Sequence, residues 1–464
     1  MKAAQHLAGD LRAIFAVGLP LIVNNISSIG VTVADTVMAS RLGPDQLAAV
    51  AIGSGVWIAL FLLGLGVIMA LGPTVAQHYG AGRTREIGHD TRQGIWLGIA
   101  VSLLVIVLMR STEPVLTWIG IEASVVVLSQ GYLDALSFGV PGAYAYHTVK
   151  QMSEGVGRTV PIMVVMGIAL PINIFFNYTF MFGAFGAPAL GAVGCGLGNA
   201  ISFWIMFTML ALYTARAPSY RAFEIWRSIE APDIPAIRRL VLLGAPIGLS
   251  LFLQSGLFTT VALLMGAIGT TAVAAHQVVL NYSGLVFMVP LGLGMALTVV
   301  VGQAVGRLDM AGARRVGLTG MVLCGMVSIV AGVTTWVFAT PLAGLYGADR
   351  DVTELAIVLF KVAAALQIGD GIQVAAAFAL RGLKDTKVPM LLNAANYWGI
   401  GFALAYLLGI TLGHGAIGIW IGLATALCAA AVTLIARFVW LTRKLLRDSE
   451  PATVSLLEPD HLVR

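Results

Sequence analysis

Twelve times along this chain of 464 residues the sequence runs for about 20 residues almost without charge. A helix of about 20 apolar residues, rising about 1.5 Å per residue, crosses the hydrocarbon core of a bilayer. The runs lie near 13–39, 47–75, 93–110 (reaching back to about 91), 127–149, 160–183, 189–213, 238–266, 275–302, 316–340, 354–380, 388–411 and 415–441. Lipid offers no partner to a free backbone N–H or C=O, so each run is expected to be a helix. Composition agrees, with 58% apolar and 11% charged residues against about 25% charged in soluble domains. The chain has too little charge for a water-facing skin. Its 54 glycines suit the close helix packing that lipid requires. The expected fold class is an all-α integral membrane protein of 12 spans.

The basic residues fix an expected orientation. Lys and Arg at the N-terminus, after even-numbered runs and in the tail number 23, from Lys2 and Arg12 to Arg447 and Arg464. The opposite side has 4, namely Arg41, Arg110, Arg350 and Lys361. By the positive-inside rule both termini are cytoplasmic. The net charge of +5 therefore reflects topology, and no nucleic-acid partner is expected. Met1–Arg12 is polar and the first run is too long for a signal-peptide core, so it is read as a retained span. Cys195, Cys324 and Cys428 lie far apart in apolar runs, with no metal or disulfide spacing, and are read as small packing residues.

The chain also matches itself at a shift of 226 positions. Gly18-Leu19-Pro20 meets Gly244-Ala245-Pro246, Met69-Ala70-Leu71 meets Met295-Ala296-Leu297, and Gln77 and Gly80 meet Gln303 and Gly306. Later matches need small gaps, as with Gly191-Ala192-Val193-Gly194 and Gly415-Ala416-Ile417-Gly418. Each copy holds six runs, so both enter the membrane from the same side, as parallel repeats about an axis along the membrane normal. The expected domains are an N-terminal six-helix lobe at 1–214, a cytoplasmic linker at 215–237, a C-terminal six-helix lobe at 238–441 and a cytoplasmic tail at 442–464. Two such bundles can alternate access by rocking about the cleft between them.

A charged side chain inside a span is costly and is usually kept for function. Asp35 lies within the first run, several residues before the Gly43-Pro44 turn. Asn173 and Asn177 in the fifth run share one helical face, and Asn199 lies in the sixth. These four could form a polar pocket in the N-terminal bundle; polar glue between helices is the bland reading. Asp370 lies in the tenth run within Gln367-Ile368-Gly369-Asp370-Gly371-Ile372-Gln373. Its flanking glycines suit close backbone approach or local unwinding. Gln254 in the seventh run is its expected polar partner, and Gln373 is placed in the same C-lobe cleft. Asp134, Glu354 and Lys361 are read as interfacial, and His276 as a hydrogen-bonded packing residue.

Several segments resemble the multidrug and toxic compound extrusion (MATE) family of transporters, in its bacterial NorM-like branch. They are Asp35-Thr36-Val37-Met38-Ala39, Val75-Ala76-Gln77-His78-Tyr79-Gly80-Ala81-Gly82, Gly186-Ala187-Pro188-Ala189-Leu190-Gly191-Ala192-Val193-Gly194, Val273-Ala274-Ala275-His276-Gln277-Val278 and Leu380-Arg381-Gly382. The resemblance covers nearly the whole chain. It implies two six-helix lobes in a V and export of amphipathic, often cationic drugs against an inward flow of H⁺ or Na⁺. It also implies a monomer surrounded by lipid in the bacterial inner membrane, with no cofactor. Asp35, Asn173 and Asn177 match the family's N-lobe cation site, and Asp370 its C-lobe carboxylate. Two positions depart: Gln254 stands where Na⁺-coupled relatives carry Glu, and Leu366 where they carry Tyr. That weakens a C-lobe Na⁺ site, although Na⁺ at Asp35, Asn173 and Asn177 stays open. Burial favours the neutral form of a carboxylic acid, so H⁺ at Asp35 is the favoured coupling ion.

A lipid-linked oligosaccharide flippase of a related fold is the alternative within transporters; such flippases tend to have extra spans or basic cavities, whereas the internal charges here are acidic and suit cationic drugs. A membrane enzyme would need a nucleophile–base pair, a metal cluster or a phosphate loop inside the spans, and the sequence offers none of these. Physics does not exclude a receptor, but the parallel repeat argues against one.

Overall fold

The computed structural model describes residues 2–228, 230–347 and 349–454. The described residues are almost wholly helical. Eleven helices are long and apolar enough to span a membrane, and one bent pair makes the twelfth. In chain order they are α1 (Gln5–Ser40), α2 (Pro44–Gly80), α3 (Thr84–Arg110), α4 (Ala123–Ser137 with Val140–Gly155), α5 (Val160–Phe182) and α6 (Ala192–Arg216). The second half follows as α7 (Ile234–Ile268), α8 (Thr270–Gly306), α9 (Met310–Val337), α10 (Arg350–Gly382), α11 (Lys387–Thr411) and α12 (Gly415–Asp448).

The ends of these helices follow from local chemistry. Gly43 at φ 113° makes the tight turn before α2, and Pro44, lacking an N–H, starts the helix where none is needed. Asp233 caps α7 at the Ala236 N–H, and Asp309 caps α9 at the Gly312 N–H. Helix α3 begins at Thr84, well before the apolar run read from 93, because its first turns are polar and face the linker. Helix α4 is broken by 51° between its arms, where Pro141 sits in the first turn of the second arm. The run at 127–149 reads as one uninterrupted span, with Pro141 its one sign of the bend. Helix α12 continues through the first part of the residues read as a tail, to Val454. The remaining tail residues, Arg464 among them, lie outside the described residues.

The apolar core is divided in a way that reflects the duplication. One cluster gathers residues of the first half together with Leu240 of α7. A second gathers Ile14, Val17 and Leu21 of α1 with residues of α8, α9, α10 and α12. A third lies wholly in the second half. The first turns of α1 therefore pack on the second half, and those of α7 on the first half. Residues 14–21 and 240–247 are equivalent under the shift of 226, so the exchange is reciprocal. An Asp10–Arg315 ion pair, with its closest approach at 2.9 Å, adds to the α1 side of this seam. The seam lies towards the ends of α1 and α7 that bear the N-terminus and the linker.

The linker is held firmly against the first half. Trp96 donates to Glu230 O at 2.8 Å, Gln93 donates to Ala231 O and accepts from the Asp233 N–H, and Arg92 donates to Glu224 O at 2.7 Å. Arg92 also pairs with the Glu230 carboxylate. Both ring nitrogens of His89 face carboxylates, Glu230 at 2.7 Å and Asp233 at 3.3 Å.

Candidate functional site

In the first half, α1, α5 and α6 converge on a buried polar cluster. Asp35 in α1 accepts from the Asn177 amide at 2.6 Å on one carboxylate oxygen and from the Asn199 amide at 2.9 Å on the other. Asn177 also donates to Asn173 Oδ1 at 3.2 Å. Asn173 in turn donates to Asn199 Oδ1 at 2.6 Å and to Ser202 Oγ at 3.2 Å. The i,i+4 spacing of the two α5 asparagines puts both amides on the face turned to α1 and α6. All four residues are less than 10% exposed. Asn177 Oδ1 is a buried acceptor without a hydrogen-bond partner. The structure thus brings Asp35, Asn173, Asn177 and Asn199 together, Asn173 reaching Asp35 only through the other two.

Two members of this cluster were not read from the sequence. Ser202 lies one residue short of a helical turn beyond Asn199 and closes the network on the α6 side. The Cys195 thiol sits beside the Asp35 carboxylate, one turn before Asn199, where the sequence suggested only apolar packing. Helical spacing around Asn199 was the available signal.

In the second half, Asp370 lies on a continuous stretch of α10, so its flanking glycines serve close approach and not unwinding. A Cβ on Gly369 would press on Cys428 of α12, and one on Gly371 would collide with Ser328 of α9. Asp370 borders a cavity of about 370 Å³ whose wall is mostly apolar and aromatic, including Phe258, Phe287 and Trp420. Gln254, Gln367 and Leu366 line the same cavity. No hydrogen bond joins Gln254 to Asp370 among the described residues, and Asp370 Oδ1 is buried without a partner. Gln373 is not part of this wall; its amide donates to the Tyr397 hydroxyl of α11 at 2.8 Å. Helix α11 widens into π turns over Ala395–Phe402, which carries Tyr397.

The other residues singled out from the sequence are placed outside both sites. Glu354 pairs with Arg350 at 2.8 Å, Asp134 accepts from Gln130, and the Lys361 ammonium lies 6.0 Å from the Trp336 ring. His276 is fully buried and packs edge-on against Trp420. Both its ring nitrogens lack a hydrogen-bond partner, so it is a packing residue without the expected hydrogen bond.

Neither Asp35 nor Asp370 forms an ion pair among the described residues. A buried carboxylate with no cation beside it must take up a proton or meet a cation brought from outside. Chemically, then, each half presents an acidic group that can exchange a positive charge with whatever enters.

Known proteins agree with this architecture. The MatE family profile matches residues 20–179 and 246–407, one segment in each repeat. Multidrug resistance protein MdtK of Yersinia pseudotuberculosis serotype O:1b (strain IP 31758) is 37% identical over 440 residues, covering 94% of this chain and 96% of that protein. MdtK of Proteus mirabilis (strain HI4320) is 37% identical over 445 residues, covering 95% and 97%. Among solved structures, the eukaryotic MATE transporter AtDTX14 superposes with a TM-score of 0.86 at 21% identity, covering 95% of this chain and 99% of that one. The Vibrio cholerae MATE transporter VcmN in its bent form gives 0.84 at 19% identity, covering 95% and 99%. With both repeats matched and relatives aligned from end to end, the chain belongs to the MATE family of transporters.

Proposed function

We propose that this protein is a secondary active multidrug exporter that moves amphipathic, cationic drugs outward against an inward flow of protons. The observation that carries this reading is the pair of buried carboxylates, Asp35 and Asp370, with no ion pair among the described residues. Cationic drugs are the substrates that such a charge deficit favours. The C-half cavity, about 370 Å³ with a mostly apolar wall, has the size and lining of a small-molecule site. The MdtK relatives, named for multidrug resistance, support drugs as cargo.

Protons are favoured over sodium by the way Asp35 is dressed. Amide nitrogens, not amide oxygens, face its carboxylate. A sodium ion would need several oxygens turned towards it, whereas a proton needs only the carboxylate. The moving bodies in this reading are a lobe at 1–214 and a lobe at 238–441, joined by the linker at 215–237. They rock as a monomer in the inner membrane with both termini in the cytoplasm, as the distribution of Lys and Arg supports.

The test is drug efflux from proteoliposomes under separately imposed gradients. A pH gradient alone should drive uphill export, and a protonophore should abolish it. Robust export driven by a Na⁺ gradient in the presence of the protonophore would overturn the choice of ion.

A further inference from the structure

We propose that Gln77 and Gln303 form a twofold-related latch that sets how readily the two halves part on the face bearing the linker and the termini. The proposal rests on the reading that the halves rock during transport. The Gln77 amide, in α2, donates across the seam to Gly382 O at 2.9 Å, and the Gln303 amide, in α8, donates back to Gly155 O at 3.0 Å. The shift of 226 carries Gln77 onto Gln303, and a shift of 227 carries Gly155 onto Gly382. The two bonds are thus one interaction made twice, once from each repeat.

The acceptors explain why glutamine serves here. Gly155 and Gly382 are the last residues of α4 and α10. A carbonyl at the end of a helix has no intrahelical N–H to accept from and carries the negative end of the helix dipole. Each glutamine supplies that missing donor from the opposite half, and each bond is lost when the halves separate. The backbones leave no slack at this point. A Cβ on Gly80 would collide with the Gln303 carbonyl, and one on Gly306 with the Gln77 carbonyl. The ends of α2 and α8 therefore cross in direct contact around the local axis, with the two glutamines at the crossing. The geometry makes them positioning residues: they touch neither Asp35 nor the C-half cavity, but they favour the arrangement closed on this face.

The experiment measures the opening itself. Spin labels are placed at R85C and R307C, exposed positions on opposite halves at this face, after the exposed Cys428 is replaced by alanine; Cys195 and Cys324 are buried and are kept. Distance distributions are recorded in lipid nanodiscs at several pH values, with drug export measured in parallel. Removing one such hydrogen bond should raise the ratio of open to closed populations about 2- to 12-fold. Gln77→Ala and Gln303→Ala should do so by similar factors, and the double variant by more than either. Gln303→Glu, of the same shape but facing the helix-end carbonyl with an acceptor, should shift the population at least as far as Gln303→Ala. Two wild-type distances with unchanged populations in every variant would overturn the latch alone, leaving the rocking reading intact. A shift in the alanine variants without one in Gln303→Glu would assign the effect to packing and would also overturn it. A single wild-type distance under all conditions, with export intact, would instead remove the rocking reading and the latch with it.

Discussion

Asp35 takes both of its hydrogen bonds from amides that are themselves chained to Asn173 and Ser202. Replacing it by Asn keeps the shape and most of the hydrogen bonding but removes the exchangeable charge. Asp35→Asn should therefore lower gradient-driven efflux at least tenfold while the melting temperature in detergent stays within a few degrees of wild type. Wild-type efflux at normal expression would show that the charge lies elsewhere. Asn199→Ala removes one of the two donors, and hydrogen bonds to charged groups contribute about 1.5–3 kcal/mol. It should shift the pH midpoint of efflux towards higher pH, because the anionic form loses support. Asn177→Ala should act in the same direction, and Asn173→Ala less, since Asn173 touches Asp35 only through its neighbours. The site was partly legible in the sequence because helical spacing is local: Asn173 and Asn177 had to share a face. The roles of Ser202 and Cys195 were not legible. They depend on how α6 is rotated against α1, which is set by packing across more than 150 residues of chain. Gln373 fails for the same reason, since its partner Tyr397 lies on a widened stretch of α11 that no residue pattern announces.

At the scale of elements, the linker behaves as part of the first half. Glu230 is held below the usual glutamate range mainly by its hydrogen bond from Arg92, with His89 adding to the effect. A carboxyl lowered in the folded state contributes stability above its unfolded value, 4.5 for an ordinary glutamate, and loses it as pH falls through the lowered folded value. At neutral pH, Glu230→Gln should therefore speed amide hydrogen exchange in peptides covering 218–233. The difference from wild type should shrink once the pH, corrected for intrinsic exchange, falls well below 4.5. Equal protection of the two proteins at pH 7 would mean that the backbone contacts of Trp96 and Gln93 hold the linker alone. The twelve helices were legible because lipid demands a long apolar run for each. Their polar first turns were not, as α3 shows, because those turns are made for the linker and not for lipid. The bend in α4 left a usable sign in Pro141, which a window of apolar residues averages away.

For the whole molecule, the proposed function raises the question of how a proton and a drug would be exchanged between halves that meet at a seam. Asp35 lies in a closed polar cluster of the first half, whereas Asp370 borders a mostly apolar cavity in the second. A cationic drug in that cavity favours ionised Asp370, and a proton there disfavours the drug. Linkage makes this reciprocal: if drug binding displaces one proton, apparent drug affinity falls about tenfold for each pH unit below the titrating range. On the proposed function, that competition falls to Asp370 and the uphill coupling to Asp35. Asp370→Asn should then flatten the pH dependence of binding, measured by fluorescence polarisation of a cationic dye in detergent. It should also weaken binding roughly tenfold at the high-pH limit, where the charge would have helped. Asp35→Asn should keep the pH-dependent binding yet fail to accumulate a gradient. The reverse pattern, with binding pH-independent only in Asp35→Asn, would place drug–proton exchange in the first half. The second-half carboxylate would then serve the drug alone, and the two sites would communicate only through the rocking of the halves.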